Sequence, residues 1–501
     1  MTETFHPAHF AHLLLLIGVV IVVAASVSGL LERWSMPPVA VFLALGAALG
    51  PLGLGLAAFG LESPALGAVA TLSLILVLFT DAVSLDFRAL RAHIGIALLV
   101  LGPGTLVTAA IIAAASVWLL DLSLAQAAIL GAALASTDPV MVRGLLRRSG
   151  VPDSAKTALG VESGLNDVVL LPIVLVATAM LVKGSGLEFS ETARVVGEVL
   201  ILGPLAGVGV GFLAVRLLEQ MRNRFGMRRD YESLYVLGVS FTAYALAESM
   251  HASGFMAAFA AGLTVALVGV ELCDCFHDYG EATAEAFLLF AFVAIGGSVI
   301  WSGLDVISAN ALLFAFIALF ARSVVLAVAL SGSEMDAHGR RMTVWFGPKG
   351  LSSLLLVLLP IFAGADAALE LFPICALVVL LSVVVHGGMP WFLAPHQAKD
   401  QRNAPRNARG SVSPEARHDT RAETRSDPPL VANRVLITFD EVQRLRDAGH
   451  SVTILDSRTP GSFAESDRRA TGAVRLPPDE AVESAARLAL PRSDWLVAFC
   501  A

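Results

Sequence analysis

Charge is what this chain has least of. Lys, Arg, Asp and Glu make up 15% of its 501 residues, where soluble domains run nearer 25%. Apolar residues reach 56% and the mean hydropathy is +0.75. A single soluble globule is thereby excluded, and a polytopic membrane protein is indicated. The charges that exist are unevenly spread: 18 Lys and Arg with 27 Asp and Glu precede Trp391, against 16 and 15 after it. The short second stretch is near neutral but charge-dense, as a soluble appendage would be. Cysteine is scarce too. Cys273, Cys275, Cys375 and Cys500 are too few for a disulfide framework. Cys273 and Cys275 read as reduced surface thiols and Cys375 as a small packing residue. No phosphate-binding glycine loop is evident, which argues against a nucleotide-driven machine and implies no cofactor. Nor does anything point to nucleic acid. The first apolar run lacks a basic leader region and a clear cleavage site, so it reads as a helix.

Crossing hydrocarbon takes about twenty apolar residues. Runs of that order fall near 9–31, 37–58, 64–81, 93–119, 123–147, 157–182, 193–217, 231–250, 252–270, 282–302, 307–331, 342–364 and 368–391, thirteen in all. Alternate connections carry the positive charge. One set holds Arg33, Arg88, Arg91, Arg143, Arg147, Arg148, Lys156, Arg216, Arg222, Arg224, Arg228, Arg229, Arg340 and Arg341, whereas the other holds only Lys183 and Arg194. The positive-inside bias puts the first set in the cytoplasm, with the N-terminus outside and the C-terminus inside. Residues 1–391 thus read as a membrane domain in the cell (inner) membrane. Residues 392–430, rich in Arg, Asn, Ser, Asp and Pro, read as a disordered linker. Residues 431–501 read as a small α/β segment, with a helix from Asp440 to Ala448 and strands at Val452–Leu455 and Trp495–Phe499.

Against so little charge, three acids stand out inside apolar spans. Carboxylates in hydrocarbon cost several kcal/mol each and persist where they line a cavity and handle ions or protons. Glu162-Ser-Gly-Leu-Asn-Asp167 holds two of them. Helical spacing puts Ser163 and Asp167 on one face and Glu162 and Asn166 on the next, and Gly164 would admit a neighbouring helix. Carboxylate, hydroxyl and amide oxygens are hard ligands suited to an alkali cation. A buried carboxylate can also hold a proton, so one group that takes either is the minimal chemistry of an exchanger. Ser136-Thr137-Asp138-Pro139-Val140 holds the third acid before a proline that breaks its span. The broken backbone is tolerated only where protein or a cavity receives it, and Asp138 would sit at the positive end of the half-helix beginning there. A second interruption, Trp345-Phe-Gly-Pro-Lys-Gly350, falls at the corresponding place of a second six-helix unit. That pairing points to an inverted-repeat transporter with a midplane site. Lys349 would offset charge at the crossing or, alternatively, snorkel to the interface. Arg322, in mid-span, needs a carboxylate partner, with Glu162 the first candidate and Asp138 the second. Asp81 and Asp86 read as interfacial, and Gly254–Gly262 as small-residue packing surface.

Ser136–Val140, Glu162–Asp167, Gly254–Gly262, Arg322 and Gly347–Gly350, in this order, resemble the sodium/proton exchanger family of monovalent cation:proton antiporters. The resemblance covers roughly residues 9–391. It implies an all-α fold of thirteen helices with inverted repeats, two crossed broken helices, a core domain and a dimerisation domain. It also implies a homodimer that exchanges Na⁺, Li⁺ or K⁺ for H⁺ by alternating access, with a role in pH homeostasis. By the same resemblance Asp167 is the ion and proton carrier. Na⁺ would sit at Asp167, Asp138 and Ser163, with Thr137, Asn166 and Glu162 as further ligands. Arg322, Glu162 and Lys349 would form a structural ion-pair group. The Asn166-Asp167 pair resembles the electroneutral branch. The lysine at 349, where many members carry arginine, departs from the pattern and leaves K⁺/H⁺ exchange as the alternative.

The tail separately resembles a rhodanese-like domain through Asp456-Ser-Arg458, Gly472-Ala-Val-Arg-Leu-Pro477 and a strand running into Cys500. The expected cysteine loop and following helix would lie beyond Ala501, so the tail reads as vestigial, truncated or regulatory. A membrane-anchored sulfurtransferase is the competing reading of the whole chain. It is disfavoured because a tether needs no intramembrane Asp138, Glu162 or Asp167. A secondary transporter, not an enzyme, is expected.

Overall fold

The computed structural model describes residues 18–26, 38–55, 60–85, 87–139, 141–142, 151–183, 189–225, 229–268, 274–333, 335–387, 439–447, 449–457, 472–476 and 495–499. Asp86, Cys273, Cys500 and the expected linker 392–430 lie outside them. The chain separates into two compact units, residues 1–404 and 405–501.

Among the described residues of the first unit, the regular elements are helices. In chain order its helices are α1 (18–26), α2 (Pro38–Leu49), α3 (Pro64–Val83), α4 (Phe87–Ala92), α5 (Ile94–Leu120), α6 (Leu124–Ala135), α7 (Asp153–Lys183), α8 (Phe189–Gly197), α9 (Gly203–Phe225), α10 (Arg229–Ser249), α11 (Gly254–Val268), α12 (Asp274–Gly297), α13 (Ala309–Ala329), α14 (Ala337–Trp345), α15 (Leu351–Phe362) and α16 (Leu371–Gly387). Six stretches are long and apolar enough to cross a bilayer, and five shorter apolar helices accompany them. Each of the thirteen apolar runs holds one of these helices or a pair of them. α8 joins α9 through a π-helical turn at Glu198–Leu202, and another such turn, Val100–Thr105, holds Pro103 inside α5. Proline offers no N–H and crowds the preceding turn, and a wider turn accommodates it.

Lipid is as apolar as leucine, so helices associate through close packing rather than by leaving water. The contact between α9 and α11 shows how. Gly203, Gly207 and Gly211 recur every four residues along α9, facing Ser253, Ala257 and Ala261. A Cβ at Gly203 would lie 2.8 Å from the Ser253 carbonyl oxygen and one at Gly207 would overlap that of Ala257. The expected packing surface at Gly254–Gly262 is thus in use: every residue of it is buried, and Gly262 presses on Phe79 of α3.

Two spans are interrupted where proline predicted. α6 starts at a capping box, in which Ser123 and Gln126 satisfy each other's backbone N–H groups. It stops at Ala135, and residues 136–138 are non-helical before the chain turns helical again at Pro139. α14, capped by Asp336, ends at Trp345, and residues 346–350 are non-helical before α15.

The second unit, described by itself, contains α17 (Phe439–Asp447) and a parallel sheet of β1 (Val452–Asp456), β2 (Val474–Arg475) and β3 (Trp495–Phe499), ordered β2-β1-β3. Leu455 pairs with Val474 and Val452 with Trp495. The Arg475 guanidinium lies 3.5 Å from the buried Asp456 carboxylate.

Candidate functional site

The two interruptions meet, and each satisfies the other. Where α6 stops, the Ala135 and Ser136 carbonyls have no helical partner. The Lys349 ammonium donates to both, at 3.2 Å each. A cation at the negative end of a half-helix is favoured, and this one is fully buried. In the opposite sense, Asp138 accepts from the Leu351 N–H at 3.1 Å, capping the positive end of α15, and its own N–H donates to the Pro348 carbonyl at 3.0 Å. Gly350 permits this approach, since a Cβ there would overlap Asp138 Oδ2.

Asp138 therefore compensates the half-helix of the other break as well as heading its own. Lys349 does not snorkel: its buried ammonium meets the free carbonyls of α6. Glu162 and Arg322 both act on it electrostatically.

α7 carries the second set of groups past this crossing. Asp167 is 4% exposed, and its Oδ1 accepts from the Ser136 hydroxyl at 2.6 Å. The Asn166 amide donates to Thr137 Oγ1 at 2.9 Å, tying α7 to the non-helical turn of the first break. Asp138 and Asp81 both act electrostatically on Asp167. Asp81, read from sequence as interfacial, is half-buried near the end of α3. The Ser352 hydroxyl also interacts with Asp167. Among the described residues, Asn166 Oδ1 and Ser353 Oγ are buried oxygens without a hydrogen-bond partner.

Glu162 stands apart from these groups. Its two carboxylate oxygens accept from Arg322 Nε and Nη2 in a bidentate pair, and both side chains are about 5% exposed or less. Arg322 Nη1 donates onward to the Thr343 carbonyl at 3.0 Å, at the end of α14. Gly347 lies against the guanidinium, where a Cβ would come 2.6 Å from Nη1. Both oxygens of Glu162 thus accept from the arginine. Ser163 donates to the Gly160 carbonyl of its own helix at 3.3 Å, which leaves its lone pairs open. Gly164 faces open space, so the expected close approach happens at Gly347 and Gly350 instead.

Ser136, Ser352, Ser353, Ser382 and His386 had no role assignable from spacing. Hydroxyls and a histidine buried in otherwise apolar spans were the available signal.

A multi-pass helical protein with two crossed, broken spans and buried carboxylates at the crossing defines a class of ion transporter. The family model for the transmembrane sodium/hydrogen exchanger matches residues 18–394, and the chain belongs to that family. It is 25% identical over 385 residues to the K(+)/H(+) antiporter NhaP of Alkalimonas amylolytica, covering 76% of this chain and 66% of that protein. It is 27% identical over 373 residues to the K(+)/H(+) antiporter NhaP2 of Shewanella oneidensis, covering 73% and 63%. The chain thus spans a little under two thirds of the length of these curated relatives. The solved sodium proton antiporter MjNhaP1 from Methanocaldococcus jannaschii shares the fold, with a TM-score of 0.61 over 74% of this chain and 98% of that one at 20% identity.

Proposed function

We propose that this protein is a secondary antiporter that exchanges a monovalent cation for protons at Asp167. The supporting observation is the buried Asp167 carboxylate, held by the Ser136 hydroxyl and acted on by the like charges of Asp138 and Asp81. A carboxylate in a low-dielectric interior cannot stay charged without compensation. Either a cation or a proton must relieve it, and a site that demands one or the other couples their movements. Asp138 and Ser163, with the oxygens of Thr137 and Asn166, are the remaining ligands. Glu162 and Arg322 hold α7 to α13 and α14.

Since a single Asp167 carries either ion beside a neutral Asn166, exchange is one for one and electroneutral. The relatives named for K⁺ and the solved neighbour named for Na⁺ leave K⁺ alongside Na⁺ and Li⁺ as cargo. The transported ions are the only small partners, no chemical step is catalysed, and the protein works as a homodimer in the inner membrane, N-terminus outside. We assign the second unit no part in transport.

Reconstitution provides the test. Proteoliposomes with an imposed pH gradient should lose it on addition of NaCl, LiCl or KCl, at a rate unchanged when the membrane potential is clamped. Normal exchange by Asp167→Ala would refute the mechanism.

A further inference from the structure

Lys349 has a second anchor, on the side of the crossing away from α6. Its backbone N–H belongs to the non-helical 346–350 segment and has no helical acceptor. It donates to Ser382 Oγ on α16 at 2.7 Å. Ser382 in turn lies 3.1 Å from Nδ1 of His386, one turn along the same helix. Both are buried, Ser382 fully and His386 to 3% exposure, in a helix otherwise built from apolar residues. Polar side chains at such depth are expensive, and this pair follows the i,i+4 spacing that faces two residues together.

The hydroxyl has one hydrogen and two lone pairs. Lys349 occupies a lone pair, and we assign the imidazole proton to Nε2, so that the hydroxyl hydrogen finds its acceptor in Nδ1. A linear series of contacts results. It runs from His386 to Ser382, to Lys349, through the Lys349 ammonium to the Ser136 carbonyl, and from the Ser136 hydroxyl to Asp167.

We propose that His386 is a positioning residue of the ion site, acting through Ser382 and Lys349 on Ser136 and Asp167. Its acceptor nitrogen fixes the Ser382 hydroxyl, which fixes the Lys349 backbone, which sets how the Lys349 ammonium holds the turn that presents Ser136. The imidazole touches no cargo. What the site needs from it is an acceptor at that position, not a titrating group. Asparagine supplies one with its Oδ1 and leucine does not. The inference rests on the assignment of Asp167 as the cation site.

The test uses the full-length protein in detergent and titrates NaCl, KCl and LiCl separately, reading the concentration that gives half-maximal thermal protection. His386→Leu should raise that concentration about 5- to 10-fold, the factor that loss of one buried hydrogen bond implies. His386→Asn should stay within about twofold of wild type. Should His386→Leu fail to accumulate, Ser382→Ala against Ser382→Thr makes the same comparison, with only the threonine keeping the hydroxyl. A merely structural histidine would lower the melting temperature without separating the cation response of the two variants. Equal half-protecting concentrations in all variants, or a wild type that no cation protects, would overturn the proposal. Intact cation protection without gradient collapse in vesicles would count against the exchange reading alone.

Discussion

At the scale of single residues, the site divides into groups that are committed and groups that are open. Glu162 and Arg322 are committed to each other. Removing one partner of a buried pair costs about 3–5 kcal/mol, because the other charge is left uncompensated. Glu162→Gln should therefore show a clearly lower melting temperature in detergent, with a loss of exchange proportional to the folded protein lost. Asp167 is different, since the groups that meet it are the Ser136 and Ser352 hydroxyls. Asp167→Asn should fold with nearly unchanged stability and yet leave the pH gradient of cation-challenged vesicles at the level of protein-free ones. These two outcomes, stability lost in one variant and function in the other, would separate a supporting acid from an ion carrier. The sequence already showed the acids, because charge in an apolar span is conspicuous. It did not show which oxygen meets which donor, because Ser136 and Asp167 sit on different helices and their meeting depends on the crossing angle. Nor could spacing reveal that Asp81 acts on Asp167, because nearby arginines gave it a plausible interfacial setting.

Among elements, the breaks and the helix ends carry the argument. Gly350→Ala places a methyl on Asp138. It should abolish exchange even though alanine is a better helix former than glycine, and a gradient assay together with a melting curve would register both effects. Asp336 caps α14 outside the apolar span, with the Gly339 and His338 N–H groups and the Ser154 hydroxyl around it. The Gly339 N–H first, then the His338 N–H and the Ser154 hydroxyl, hold its carboxyl below its ordinary value. A carboxyl lowered on folding adds stability above its unfolded pKa and loses it as pH falls through the lowered one. Melting temperature should accordingly drop on the acid side, and Asp336→Asn should flatten that drop. The helices themselves were readable, since thirteen apolar runs match the helices formed, and Pro139 and Pro348 marked both breaks. What periodicity could not supply was the partner of each half-helix end, which lies more than two hundred residues away in the chain.

For the molecule as a whole, orientation gives the broadest prediction. Single cysteines introduced at Arg224 and Arg340 should react with an impermeant maleimide only from the cytoplasmic face. Labelling from outside would reverse the topology. The reciprocal crossing also constrains how the protein is made. Ser136, Asp138 and the frayed carbonyls of α6 leave the ribosome and enter the bilayer long before Lys349 and Leu351 exist. During that interval the first break has neither its counter-charge nor its cap, so the N-terminal half cannot reach its final arrangement on its own. Assembly must wait for the twelfth span to arrive, which makes the last third of the membrane domain the checkpoint for the first. A chain interrupted before residue 349 should consequently be inserted yet remain unfinished, an easy target for membrane quality control.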